Sequence, residues 1–187
     1  TARMCCPSTM GAAAVVVGSP EARAKHSSNG KFVRVAAGAC ASEKYERGHL
    51  FAGAIVGPPE MARRSAYMCY EQAGIGPEDL DFVGVHDAYA IEELLFTEEI
   101  GLCEPGGADR LVHDGDTAIG GRIPVSTDGG FIARGHPPGA TGLAQVWEQV
   151  QQLRGTAGAR QVEGARVGLA HIMGAGSVSF AHILTNA

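Results

Sequence analysis

Three short clusters in this chain place proton-transfer side chains among glycines. The first is Gly135–Gly142 (GHPPGATG), where His136 stands immediately before a predicted helix, two prolines fix the approach and Gly139 permits a tight entry. A helix N-terminus carries partial positive charge and unsatisfied N–H groups. A histidine held there is biased toward its neutral form, which suits a base or a hydrogen-bond donor. A histidine in an ordinary surface turn is the plainer reading, but so tight a glycine frame is unnecessary merely to start a helix. The second cluster, His86-Asp87-Ala88-Tyr89, directly follows the apolar run Asp81–Val85. In open α/β sheets the carboxyl ends of strands face the ligand crevice. His86 and Tyr89 are both proton-transfer types, and Asp87 is expected to N-cap the next helix. The third is His171, at the end of the run Arg166–Ala170 and followed by Met173-Gly174-Ala175-Gly176. Backbone N–H groups of such a turn can hold an oxyanion, although a hairpin with a buried histidine explains the same residues.

Other candidates read more plainly. Glu92, Glu93, Glu98 and Glu99 are expected to form a solvated helix face. Cys69 lies on an apolar stripe and reads as core, while Cys103, His113 and Asp114 fall in a loop and receive no role. No C-x-x-C or H-E-x-x-H occurs, so no metal site is expected. Neither phosphate-binding glycine fingerprint is matched by GDTAIGG.

The elements that must position these clusters alternate in type. Ala12–Val17 (AAAVVV), Phe32–Ala37, Asp81–Val85, Arg166–His171 and Val178–Leu184 predict strands. Pro20–His26 predicts a short helix, and Cys40–Gly57 reads as loop-rich. Pro59–Ala73 predicts a helix with Ala62, Ala66, Cys69 and Ala73 on one stripe and Gly74 as terminator. Ala90–Ile100 predicts a helix with Ile91, Leu94 and Leu95 inward. Glu104–Arg122 reads as loop, and Asp128-Gly129-Gly130 as a tight turn. After Gly139 a helix runs to Gly155, with Leu143, Val146, Trp147, Val150 and Leu153 as its apolar stripe. Alternating helices and strands make the class α/β.

Composition narrows the function classes. With 45% hydrophobic and 19% charged residues over 187 positions, the chain can bury a real core. A net charge of −5 and only 6% aromatics leave neither a phosphate-neutralising stripe nor a base-stacking surface, which argues against nucleic-acid binding. No run of about 18 apolar residues offers a membrane span. Five cysteines, an odd count, and no visible signal pattern predict a reduced, cytoplasmic protein.

Taken in order, the clusters resemble the C-terminal half of a thiolase, most closely the sterol-carrier-protein type. The resemblance lies in GAAAVVV, AGIGPEDLDFVGVHDAYA, EEIGLC, GDTAIGGRIPVSTDGG, GHPPGATGLAQVWEQVQQLRG and the final glycine turn, and it covers nearly the whole chain. It implies a layered αβαβα half, with a mixed sheet covered by helices. Residues 1–27 would be the last strand and linker of the N-terminal half, and 28–187 the C-terminal domain. It implies an acyltransferase that makes or breaks a carbon–carbon bond in 3-ketoacyl-CoA, with coenzyme A as substrate and no bound cofactor. His136 would activate a nucleophilic cysteine and help hold the thioester oxygen. His86 would help polarise that carbonyl, and Gly174 would supply a backbone donor to a second oxyanion site.

Two departures bear on chemistry. The family's nucleophilic cysteine belongs to the N-terminal half, so it is expected from a missing half or companion subunit; Cys5 and Cys6 are not nominated. A second cysteine is expected either where this chain has Ala88 or where it has His171. Tyr89 and His171 are the proton donors left. That pattern is similar to thiolase-like aldolases of steroid side-chain breakdown, which imply retro-aldol cleavage of a 3-hydroxyacyl-CoA with a zinc-ribbon/OB-fold partner. A catalytically silent half serving in assembly is the third alternative. The resemblance also implies a dimer-based oligomer.

Overall fold

Short β-branched and small-residue runs build the sheet, and amphipathic segments cover it. The computed structural model describes residues 1–25, 31–43, 59–174 and 178–186. Helix α1 spans Pro20–Lys25, strand β1 Val33–Ser42, helix α2 Glu60–Ala73, strand β2 Phe82–Gly84 and helix α3 Ala90–Glu99. Short helices α4 (Ala108–His113) and α5 (Gly130–Arg134) follow, then the long α6 (Thr141–Arg154), β3 (Val167–Gly174) and β4 (Val178–Asn186).

The four strands form one mixed sheet in the order β1-β4-β3-β2. β4 is antiparallel to β1 and β3, while β2 pairs parallel with β3 through Phe82↔Gly168, Val83↔Leu169 and Gly84↔Ala170. The parallel pair requires a crossover, which α3 to α6 supply. Successive strand residues point to opposite faces. Leu169, Met173, Ala181 and Ile183 therefore pack with Ala62, Ala66 and Cys69 of α2 on one face. Phe82 and Leu184 pack with Leu153 of α6 on the other. Gly74 closes α2 in the left-handed conformation (φ 69°), as its position predicts. The sheet with helices on both faces is the α/β layering the sequence implies.

Five expectations are corrected. Ala12–Val17 forms no strand, and Val16 and Val17 are exposed. A strand needs a ladder, and none of the four described strands offers this run one. Residues 104–122 are not all loop, since α4 lies within them. On α3, Glu92, Phe96 and Thr97 face inward and Leu94 is half-buried, whereas Ile91 and Leu95 are exposed. On α6, Leu153 is buried and Val146 and Val150 are half-buried, but Leu143 and Trp147 are exposed. The rest of the buried α6 face is polar, because Gln145 donates to the Val85 carbonyl and Gln149 to the Leu169 carbonyl. Finally, the residue before α3 is Tyr89, not Asp87. The segments 44–58 and 175–177 lie outside the described residues, and with them most of the expected 40–57 loop and part of the final glycine turn.

Candidate active site

The two histidine boxes meet at one end of the sheet. β2 ends at Gly84, and the chain runs through buried Val85 to His86, Asp87 and Ala88, all buried. Asp87 does not cap α3. Both its carboxylate oxygens accept from the Phe131 backbone N–H (2.9 and 3.1 Å), which ties the first box to the start of α5. Gly130 (φ 64°) is needed at that tie, because a Cβ there would collide with the Asp87 carboxylate. Phe131 in turn stacks on the His136 ring, with centroids 4.8 Å apart and planes at 14°. The Arg134 guanidinium lies 5.0 Å from the Phe131 centroid on the same short helix.

His136 is half-buried and held in one tautomer. Its Nδ1 lies 2.8 Å from Thr141 Oγ1, at the first residue of α6. The Thr141 hydroxyl proton is committed to the Pro137 carbonyl at 2.8 Å. Thr141 Oγ1 therefore accepts, His136 Nδ1 donates, and Nε2 keeps its lone pair. Burial, and then the positive charge of Arg134, hold His136 below the ordinary histidine range, so the ring is neutral near pH 7. A neutral imidazole with a bare Nε2 is a base.

His86 sits edge-on against that ring, with centroids 5.4 Å apart at 89°. Phe131 (4.9 Å) and Phe96 (6.2 Å) complete an aromatic box around it. Neither His86 nitrogen has a hydrogen-bond partner, although the residue is only 2% exposed. Burial, then the nearby His136, pushes it down to about 3, so it too is neutral. A neutral imidazole without partners has an N–H to give to a substrate oxygen.

Glu92 is not the solvated side chain its charged neighbours predict. It is 2% exposed and faces His86, with Oε2 3.9 Å from Nε2. Oε2 accepts the Tyr89 N–H (3.0 Å), and Oε1 has no partner. Burial chiefly, with a smaller push from Asp87, raises Glu92 to about 7. Burial likewise raises Asp87 to about 6, against the Phe131 hydrogen bond. The sequence signal for Glu92 is its place as the third residue of α3, from which a glutamate reaches back to the N–H of the residue before the helix.

The remaining candidates divide. Tyr89 is half-buried at the start of α3, beside the boxes. His171 is 0% exposed, and its Nε2 lies 3.2 Å from Ser179 Oγ, which meets Ser65 Oγ at 2.8 Å. Burial, then His86, pushes it down to about 3. It backs the site through Phe96 (4.8 Å) and shows no surface to solvent. Gly174 is the last residue of β3 and pairs with Val178. The N-terminal segment, which no sequence signal placed, crosses both boxes. The Cys6 N–H donates to the Ala88 carbonyl (2.8 Å) and the His136 N–H to the Pro7 carbonyl (3.0 Å). Burial, then Asp87 and Glu92, raises the Cys6 thiol, the opposite of activation. No three His, Cys, Asp or Glu side chains among the described residues are placed to share a metal ion.

The profile described as "Thiolase C-terminal domain-like" matches residues 53–186. The chain belongs to that family. Sterol carrier protein 2 of Rattus norvegicus is 41% identical over 182 residues, 96% of this chain and 33% of that protein. Benzoylsuccinyl-CoA thiolase subunit BbsB of Thauera aromatica is 40% identical over 177 residues, 94% of this chain and 45% of that protein. Among solved structures, the "Ltp2-ChsH2(DUF35) aldolase" superposes with a TM-score of 0.70 at 26% identity, over 84% of this chain and 40% of that one. The chain thus spans between a third and a half of the length of these relatives. Among the described residues no helix is long and apolar enough to cross a membrane.

Proposed function

We propose that this thiolase C-terminal domain contributes the histidine half of a site that makes or breaks a carbon–carbon bond in an acyl-CoA. The observation that carries the reading is the bare Nε2 of His136, fixed by the Thr141–Pro137 chain beside an unpartnered His86. Coenzyme A is the second substrate rather than a resident cofactor, and the thiol nucleophile comes from a companion half or subunit. His136 Nε2 takes the thiol proton as the thiolate attacks the 3-keto carbonyl in the cleavage direction, with the acyl-CoA enolate leaving, or the acyl thioester in the synthetic direction, with coenzyme A leaving. The same nitrogen, now N–H, then donates to the oxyanion of the tetrahedral intermediate. His86 gives its N–H to that oxygen from the side, and the Gly174 backbone supports a second oxyanion site. The aromatic box keeps water from His86, which strengthens its donation.

A retro-aldol reading has its own support. Where a second cysteine is expected the chain carries Ala88 and the sealed His171, and an aldolase is among its structural neighbours. Tyr89 would then take the β-hydroxyl proton of a 3-hydroxyacyl-CoA, while His136 and His86 hold the enolate; a zinc-ribbon/OB-fold protein would complete the complex. The assembled enzyme distinguishes the two. Cleavage of a 3-ketoacyl-CoA that requires free coenzyme A supports the thiolase reading. Cleavage of a 3-hydroxyacyl-CoA without coenzyme A supports the aldol reading. Neither reaction, with the complex intact, leaves an assembly domain.

A further inference from the structure

The His86–Glu92 contact lies outside the roles assigned above. Its two side chains are each 2% exposed and together hold three unpartnered polar atoms, His86 Nδ1, His86 Nε2 and Glu92 Oε1. Buried polar atoms without partners are costly and rare. Three fall within this one contact. The 3.9 Å between Glu92 Oε2 and His86 Nε2 closes to a hydrogen bond with a small side-chain adjustment, while Oε2 stays tethered to the Tyr89 N–H. The rings of Phe96, Phe131 and His136 also lie against His86.

We propose that Glu92 is a positioning residue for His86, its carboxyl selecting which ring nitrogen carries the proton, a role that rests on the acyl-CoA reading for what His86 serves. A neutral imidazole has one donor and one acceptor nitrogen. A protonated Glu92 donates O–H to His86 Nε2 and leaves the N–H on Nδ1. An ionised Glu92 accepts from Nε2–H and leaves Nδ1 bare. His86 stays neutral in both states, so the pair exchanges its donor and acceptor faces without creating a buried cation. The raised Glu92 carboxyl places this exchange near neutral pH.

The groups around the pair are few. Asp87 and Tyr89 precede α3, and Cys6 of the N-terminal segment faces Asp87 and Glu92. His136 faces His86 from the loop before α6 and His171 from β3. Asp87 is occupied by Phe131, His136 Nδ1 by Thr141 and His171 Nε2 by Ser179. Among the described residues, Glu92 is the carboxylate placed against a His86 nitrogen, with Oε2 3.9 Å from Nε2.

Histidine side-chain ¹⁵N NMR of the full chain, from about pH 5 to about 9, reads the tautomer directly. The wild type is expected to show His86 Nδ1 and Nε2 exchanging protonated and bare character with one midpoint near neutrality. Glu92→Gln, which cannot ionise, is expected to abolish that transition while the His136 and His171 signals stay in place. A His86 tautomer that is flat in the wild type, or a transition that persists in Glu92→Gln, overturns the proposal. Should Glu92→Gln fail to fold, the wild-type Glu92 carboxyl ¹³C midpoint decides: agreement with the His86 midpoint supports the role, disagreement refutes it. Turnover of the assembled enzyme is assayed separately. A flat tautomer in an active enzyme sinks the Glu92 role alone, and a switching tautomer in an inert one sinks only the acyl-CoA reading.

Discussion

Glu92 and Glu148 are the same residue type at nearly the same depth, 2% and 5% exposed, in two regions that treat them oppositely. Glu148 lies on the buried face of α6 and is saturated. Thr127 and Gln152 donate to Oε1 at 3.0 Å each, and Arg160 reaches both oxygens. Burial alone raises Glu148, but Arg160, Gln152 and Thr127 together outweigh it and bring the carboxyl below its ordinary range. Gln152 is engaged too, accepting from the Val162 N–H and donating to the Arg160 carbonyl. Glu92 has only backbone donors, chiefly the Tyr89 N–H, and a histidine just beyond hydrogen-bond distance, and it rises to about 7. Burial is common to both; partner count separates them. The saturated cluster joins α6 to the loops beneath it, whereas the unsaturated one lies where the two histidine boxes meet.

Mutations sharpen that contrast. Glu148→Ala removes the acceptor for Thr127, Gln152 and Arg160 at once. It is expected to cost about 2–4 kcal/mol in denaturant unfolding, kept from being larger because Arg160 is partly exposed. A cost under about 1 kcal/mol would erase the distinction between the clusters.

Glu92→Gln is expected to behave differently, and with a pH signature. A carboxyl raised from 4.5 to about 7 holds its proton more tightly in the folded state. Its contribution is full below the ordinary carboxylate range and is lost as pH rises through about 7. Glu92→Gln has no such loss. The variant should therefore gain on the wild type between about pH 5 and 7, by an amount on the order of 2 kcal/mol. His86 and His171, both lowered to about 3, have the opposite sign. Their contribution is full above the ordinary histidine range and is lost as pH falls toward about 3. Both proteins should thus lose stability steadily as pH falls from about 6.5 to about 3 and level off below that, as circular dichroism at fixed temperature would show.

The smallest effect is expected on the outer face of α3. Ile91→Ser changes a side chain that is 56% exposed and should move stability of the chain alone by no more than about 0.5 kcal/mol, read as a melting shift. A loss of several kcal/mol would restore the inward placement that sequence periodicity predicts.

That periodicity marks what the sequence could and could not reveal. The order of β1 to β4 with α2, α3 and α6 was legible because short apolar runs alternate with amphipathic segments ended by Gly74 and Gly155, whereas α4, α5 and the unpaired Ala12–Val17 run were not. The two histidine boxes were legible because their glycines and prolines constrain the backbone, and the structure does bring His86 and His136 together. Which face of α3 and of α6 turns inward was not legible. On α6 the glutamines win the inner positions by bonding the Val85 and Leu169 carbonyls, an interaction that hydrophobic periodicity does not score. On α3 the buried Glu92 belongs to the site, where local pattern and function part company. The crossing of the N-terminal segment over both boxes rests on long-range backbone hydrogen bonds that carry no side-chain signature.

The central claim is that His136 serves an acyl-CoA reaction as base and then donor. The direct test is steady-state turnover of a 3-ketoacyl-CoA plus coenzyme A by the complete enzyme containing this chain, comparing wild type with His136→Ala at matched assembly. The account predicts a loss in kcat/KM of about 10²-fold or more, with unfolding little changed. Undiminished turnover in the variant would contradict it.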